Sequence, residues 1–181
     1  MNTVTERTAV QSLSQLEALC EEHAVSLPQQ NEVDLKWSGI GYRLGDLQLV
    51  SSLGEVVEVL PLPSLFKVPR TKPWVRGMAN IRGNLLPVMD LQAYLNGVNT
   101  RLSPSSRVLV VNDNGINAGL IVDDVLGLQH FVMDFKCDEI PGANQEIQQY
   151  LMKGFRVGND YWGIFSMKKL TESTEFLQAA I

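Results

Sequence analysis

Residues that carry chemistry are scarce in this chain. Two cysteines and two histidines occur among 181 residues. Cys20 and Cys137 lie far apart and give neither a disulfide framework nor a metal-ligand spacing. His23 and His130 have no Cys or His nearby at ligand spacing, so a zinc site or a Ser-His-Asp relay would have to be assembled from remote positions. Asp123 and Asp124 are adjacent, and adjacent residues of a strand face opposite ways and cannot share a proton. The glycines are spread singly at turn positions, which leaves no phosphate-cradling loop. These absences exclude the common catalytic and metal constellations, and the reading is a protein that is not an enzyme and needs no cofactor.

Long apolar runs are missing as well. None approaches the about 18 residues that cross a bilayer, and the N-terminus lacks a basic stretch followed by an apolar one, so a cytoplasmic location without membrane insertion is expected. The net charge is -5 and the sequence pI is near 5.0. An acidic whole with no basic helix argues against nucleic acid as partner.

What is present is a β-rich pattern with a 45% apolar content that supports a sizeable core. From Trp37 onward, short apolar runs are separated by Gly45-Asp46, Gly83-Asn84, Asn114-Gly115 and Gly158-Asn159, the punctuation of a barrel or sandwich made of hairpins. The two halves echo one another. Residues 54–60 resemble residues 122–128, and Gly77 through Asn84 resembles Gly154 through Asn159, each echo ending in a short helical tail, Asp90 to Leu95 and Met167 to Leu170. The fold expected is mostly β: two similar small barrels packed together, barrel 1 at about 37–100 and barrel 2 at about 101–170, within a domain spanning 37–174. A barrel of some 60 residues buries only about 60% of its extended surface, so the two should pack as one unit. Residues 1–36 form an extension in which Ala9, Leu13, Leu16, Cys20 and Ala24 are spaced for an amphipathic helix over Thr8 to Ala24, and 175–181 form a tail. Asn96 to Ser106 links the halves, and Glu139 to Glu146, with Pro141-Gly142, reads as a loop.

The most informative stretch runs from Pro73 to Leu91. Met78 to Arg82 and Leu85 to Met89 read as strands about Gly83-Asn84, with Arg82 beside the turn. Pro87 lacks a ladder donor and is expected at an edge or bulge. Lys67, Arg70, Lys72, Arg76 and Arg82 occur with no carboxylate between Glu58 and Asp90, a basic patch on an acidic background that steers acidic surfaces toward one face.

Trp74 through Leu91, with Asn80, Gly83, Pro87 and Asp90 at its structural positions, resembles the signature of CheW domains, the scaffold modules of bacterial chemosensory arrays. The similarity extends from about Gly39 to Leu170, through Tyr42-Arg43-Leu44-Gly45-Asp46, Gly54 to Val59, and Gly119 to Val125. Residues 37–45 and 72–77 are most similar to the CheW-like adaptors of the pathway controlling type IV pili and twitching motility. The resemblance implies two intertwined, SH3-like five-stranded β-barrels and an adaptor with two contacts. One is with the regulatory domain of a CheA-type histidine kinase. The other is with the cytoplasmic tip of a methyl-accepting chemoreceptor, in a groove between barrels served by Val56, Gly77 and Arg82. Recruitment to receptor arrays at the cell pole follows from the same resemblance, and association with other CheW-like modules in rings is the expectation from the charge asymmetry between the halves. Ser166-Met167-Lys168-Lys169-Leu170 departs from the Asp-Leu pair that many such domains repeat. The cations between Arg101 and Glu146 are Arg101, Arg107 and Lys136, against Asp113, Asp123, Asp124, Asp134, Asp138, Glu139 and Glu146. A basic first barrel would then meet an acidic second barrel head to tail. Alternative readings are the adaptor of a flagellar or other chemosensory pathway, an SH3- or OB-like nucleic-acid module using the basic patch and Trp74, and a small β-barrel hydrolase or transferase using Asp90 or Ser166.

Overall fold

The computed structural model describes residues 36–179 apart from 114 and 133–135. The helix expected over 8–24, with Cys20 and His23, lies outside the described residues, as does Asp134. Strands β1 (Lys36–Leu44) and β2 (Leu47–Ser52) form a hairpin, followed by β3 (Val56–Pro61). After an extended strap come β4 (Val75–Ile81), β5 (Asn84–Asp90) and helix α1 (Leu91–Asn96). The second half repeats this order with β6 (Arg107–Asp113), β7 (Ile116–Val122), β8 (Asp124–Val132), the two-residue β9 (Lys136–Cys137) and α2 (Gln145–Gln148). It ends with β10 (Leu151–Val157), β11 (Asp160–Phe165), α3 (Met167–Glu172) and α4 (Thr174–Leu177). The mostly β class with few short helices is as the sequence implies.

The two sheets do not follow the two halves. One has the order β8-β1-β2-β11-β10-β9 and the other β3-β6-β7-β5-β4. Each half contributes its first hairpin to one sheet and its later strands to the other, so a boundary near residue 100 separates neither sheet. Sequence order misled here because hairpin signals report local pairing, whereas β2–β11 and β5–β7 are parallel contacts between distant segments. The duplication itself is visible in the pairing. β3 lies beside β6 as β8 lies beside β1, and β5 runs parallel to β7 as β11 runs parallel to β2.

Each sheet closes over a small cluster: Ala79, Val88, Val108 and Ile121 in one, and Val50, Phe131 and Phe155 in the other. A far larger cluster unites the two sheets with the helices, drawing on Tyr42, Leu49 and Phe165 from one sheet and Leu109, Val111 and Leu120 from the other. At ~25 cal/mol per Å² of apolar area, most of the burial that holds the molecule together is therefore shared between the barrels.

The helices begin at matched corners. Asp90 caps α1 with φ -90° and ψ 107°, accepting from the Ala93 N–H, and Ser166 caps α3 with φ -89° and ψ 108°, accepting from the Lys169 N–H. Asp90 is 0% exposed. Its carboxylate also accepts from the Thr100 N–H at 2.9 Å and the Thr100 hydroxyl at 2.7 Å, with Arg76 at 3.6 Å. Ser166 has no charge of its own. Glu55, from the β2–β3 turn, supplies one there, accepting from the Ser166 hydroxyl and the Lys168 N–H. The departure from the Asp-Leu pair is thus compensated in space. The loop expected over 139–146 contains the start of α2, capped by Asn144.

Candidate protein-binding site

The β4–β5 hairpin turns one residue earlier than the sequence suggests. Ile81 pairs with Asn84, so Arg82 and Gly83 form the turn, with φ of 52° and 89°. The expected and observed registers differ by two residues, a shift that leaves every side chain on its own face, so apolar patterning cannot distinguish them. Local polar contacts decide it: the Asn80 side-chain oxygen Oδ1 accepts from the Gly83 N–H at 2.9 Å, and the Arg82 guanidinium reaches Glu58 at 2.6 Å. Holding a non-glycine residue in the left-handed region costs about 1 kcal/mol.

Pro87 occupies neither an edge nor a bulge. β5 lies between β4 and β7. Pro87 faces Met78, whose N–H and carbonyl both bond Phe66 on the far side. The Met78–Pro87 pair therefore carries no β4–β5 hydrogen bond, and pairing with β7 begins only at Val88. A missing donor costs nothing at that position.

Arg82 is 76% exposed along its side chain, and its ion pair joins the turn after β4 to β3, the opposite edge of the same sheet. A shallow groove at this barrel mouth is lined by Glu58, Arg82, Leu85, Val110 and Asn117. Val56, two residues before Glu58, is only 8% exposed and belongs to the main core. Gly77 sits elsewhere, under the strap that precedes β4. With φ 140°, it lies where a Cβ would collide with the Phe66 carbonyl oxygen. The close approach that glycine permits is therefore made by the chain's own backbone. The three residues do not line one groove. Trp74 is a core residue, stacked on Phe176 at 5.8 Å and edge-on to Tyr94 at 5.1 Å. The Tyr94 hydroxyl meets Tyr150 at 2.7 Å, and burial pushes the Tyr94 phenol well above its ordinary range.

The basic patch is narrower than the sequence suggests. Arg76 faces Asp90 and Arg82 faces Glu58, which leaves Lys67, Arg70 and Lys72 exposed on the strap with no ion pair among the described residues. On the acidic side, Asp123 accepts from the Gly45 N–H and Asp124 faces Arg43 at 3.5 Å. Asp138 meets Lys153 at 2.8 Å, and this contact lowers the Asp138 carboxyl below its usual range and raises the lysine. The Ser38 hydroxyl touches His130 Nδ1 at 2.7 Å on β1 and β8. Among the described residues no carboxylate hydrogen-bonds that imidazole, and no three His, Cys, Asp or Glu side chains gather as a metal site.

What the sequence did not single out is a pair of edge strands. β3 is bulged at Val57, the residue between the Val56 and Glu58 pairings, and β8 is bulged at Leu126. Val57 is 63% exposed, and Val59, Leu126 and Leu128 are exposed too. The pairing makes Val57 the counterpart of Leu126 and Val59 that of Leu128, one residue out of step with the sequence echo, which set Val57 against Val125. The bulges fall at matching positions and keep the register of the preceding hairpins, Leu44 opposite Leu47 and Asp113 opposite Ile116, from which the echo departs by one residue. The usable signal was the surplus of apolar residues on two segments that both read as strands.

A family model, the CheW-like domain, matches residues 38–175. The chain belongs to the CheW-like family. It is a CheW-like adaptor module, 39% identical over 175 residues to protein PilI of Pseudomonas aeruginosa, covering 97% of this chain and 98% of that one. Protein FrzA of Myxococcus xanthus is 38% identical over 88 residues, 49% of this chain and 55% of FrzA. The fold matches that of the scaffolding protein TtCheW from Thermoanaerobacter tengcongensis with a TM-score of 0.66 at 24% identity, covering 78% of this CheW-like chain and 96% of that one. Among the described residues no helix is long and apolar enough to cross a membrane.

Proposed function

We propose that this CheW-like chain couples a methyl-accepting chemoreceptor to a CheA-type histidine kinase, without catalysing a reaction, in the pathway that controls type IV pili and twitching motility. The observation that carries the coupling is the pair of bulged, apolar edge strands, β3 with Val57 and Val59 and β8 with Leu126 and Leu128. A bulge turns an edge strand away from continuous pairing with another strand, so what these edges offer a neighbour is their exposed apolar side chains. Two such edges, related by the internal duplication and set in different sheets, suit an adaptor that joins one neighbour to the next in an array, kinase regulatory domain or second CheW-like module alike. The pilus pathway rests on the similarity to PilI over nearly the whole length of both chains.

The receptor contact falls to Arg82 at the barrel mouth, where its exposed guanidinium can fork onto a receptor carboxylate. Val56 and Gly77 act through position, the first by seating β3 on the core and the second by letting the strap lie against β4. Polar arrays at the cytoplasmic side of the membrane are the place where such an adaptor would work.

The test is reconstitution of receptor-stimulated kinase autophosphorylation. Val59→Glu and Leu128→Glu should each retain the fold and weaken one neighbour contact at least tenfold, and Arg82→Asp should abolish receptor coupling while kinase binding persists. Kinase binding by the Val59→Glu and Leu128→Glu double variant at parental strength would remove the edge strands from the account. Failure of the parental chain to restore twitching in bacteria lacking PilI, alongside intact coupling to a flagellar receptor, would move it to another pathway.

A further inference from the structure

Between β3 and β4 the chain runs as a strap, and its outward side chains are not accounted for by the fold. Phe66 is 67% exposed, Val68 is exposed beside it, and Lys67, Arg70 and Lys72 are all exposed. Exposed apolar residues are ordinary when scattered singly. Here a phenylalanine, a valine and three cations share seven consecutive residues.

The strap is rigid, which separates it from an ordinary solvated loop. Phe66 exchanges two backbone hydrogen bonds of 2.8 Å with Met78. Gly77 lets it lie against β4 with no side chain between. The Thr71 hydroxyl donates to the Val68 carbonyl at 3.0 Å, and the Lys72 N–H donates to the Ala179 carbonyl at 2.9 Å. Arg70 is held at φ 57°, a conformation that a non-glycine residue adopts at a cost and keeps only where its surroundings impose it. Beneath the strap a shallow depression is lined by Leu65, Lys67, Val68, Pro73 and Arg76. At about 460 Å³ it has room for one large apolar side chain together with its neighbours.

We propose that this strap is a third binding surface, separate from the two edge strands and from Arg82, and that it takes an acidic peptide segment of a partner protein carrying one large apolar side chain among its carboxylates. The charge argument is internal to the molecule. Of the exposed arginines and lysines in this half, Arg43 faces Asp124 and Arg82 faces Glu58, and Lys36 stands alone at the start of β1, while the strap gathers three with no ion pair among the described residues. Complementary charge speeds and orients the encounter, and the apolar anchor in the depression supplies affinity. A nucleic acid stacks its bases on an exposed aromatic ring but brings no flexible apolar side chain to enter the depression beneath the strap.

The probe is a fluorescent decapeptide of alternating Glu and Asp with a central Phe, read by anisotropy with the full-length chain at low salt. Binding should fall at least tenfold with Lys67→Glu plus Lys72→Glu, and severalfold with Phe66→Ser or when the probe's Phe is replaced by Gly. Arg70→Gly removes a charge while relaxing the backbone, so it should weaken binding with no loss of thermal stability, an outcome that misfolding cannot imitate. Absence of binding to the parental chain would overturn the proposal, as would binding unmoved by these substitutions. A single-stranded oligonucleotide or phosphatidylserine vesicle that binds through the same residues more tightly than the peptide would overturn it in favour of that other partner.

Discussion

Replacing Asp90 tests how this fold turns its corners. The carboxylate is wholly buried, accepts the Ala93 and Thr100 N–H groups and the Thr100 hydroxyl, and lies 3.6 Å from Arg76. Asp90→Ala removes an N-cap, a loss of about 1 kcal/mol, and strands the Thr100 N–H without a partner, a further ~1–3 kcal/mol. Arg76 is partly exposed and can turn to water, so its lost partner adds little. Because these terms share one carboxylate they are not fully additive, and the expected loss is about 3 kcal/mol. Asp90→Asn keeps an oxygen for the cap but turns an amide toward the Thr100 N–H, and should cost about 2 kcal/mol. The assay is urea unfolding at constant slope, where a shift of midpoint alone reports stability. Ser166→Ala is the control at the matching corner. There Glu55 still accepts from the Lys168 N–H, and the loss should stay near 1 kcal/mol. Equal losses at Asp90 and Ser166, or a loss under about 1 kcal/mol for Asp90→Ala, would refute the reasoning.

Gly77→Ala should destabilise by about 3 kcal/mol or more, or detach the strap, because its Cβ meets the Phe66 carbonyl at a backbone angle that alanine rarely adopts; amide exchange at Met78 and Phe66 reports which, and parental stability with parental protection would refute it. Phe176→Ala should cost about 3 kcal/mol in urea unfolding, as expected of a buried phenylalanine stacked on Trp74, and a loss below about 1 kcal/mol would show that α4 is dispensable to the core. Arg82→Gly exchanges an exposed ion pair of roughly 0.5 kcal/mol for relief of a left-handed residue worth about 1 kcal/mol, so stability should be nearly unchanged in the same assay. A cost above about 2 kcal/mol would make the Arg82–Glu58 pair structural.

The hairpins, the duplicated order and the two capped helices were legible in the sequence because each is a local signal, a Gly-Asx turn or a polar residue before an apolar run. The turns at Gly45-Asp46 and Gly158-Asn159 fall where the dipeptides lie, and Gly115 sits in a third with φ 82°. The fourth moved because Asn80 and Glu58, one at the hairpin and one on another strand, supply contacts that no dipeptide rule contains. Which sheet each strand joins was beyond local reading, since parallel pairing of β5 with β7 depends on segments some thirty residues apart. At the candidate site, Arg82 was legible as a surface cation, but its partner was not. Val56 and Val57 are both valines on an edge strand, and only the bulge decides which one is buried.

The exchange of strands bears on what an adaptor of this kind can transmit. If each half folded as its own barrel, a partner pulling on one could tilt it against the other at a simple hinge. Here β3 and β8 sit on sheets that each contain strands of both halves, and the largest apolar cluster lies between those sheets. A close-packed interior deforms little and carries strain across its whole extent. The two apolar edges are therefore fixed relative to each other by the core, and a shift imposed at one must be accommodated by repacking of Leu109, Val111, Tyr42 and Leu49 or passed on to the other. Substitutions that loosen this shared core, far from either edge, should uncouple the two contacts while leaving each one intact, an effect that hinged barrels would not show.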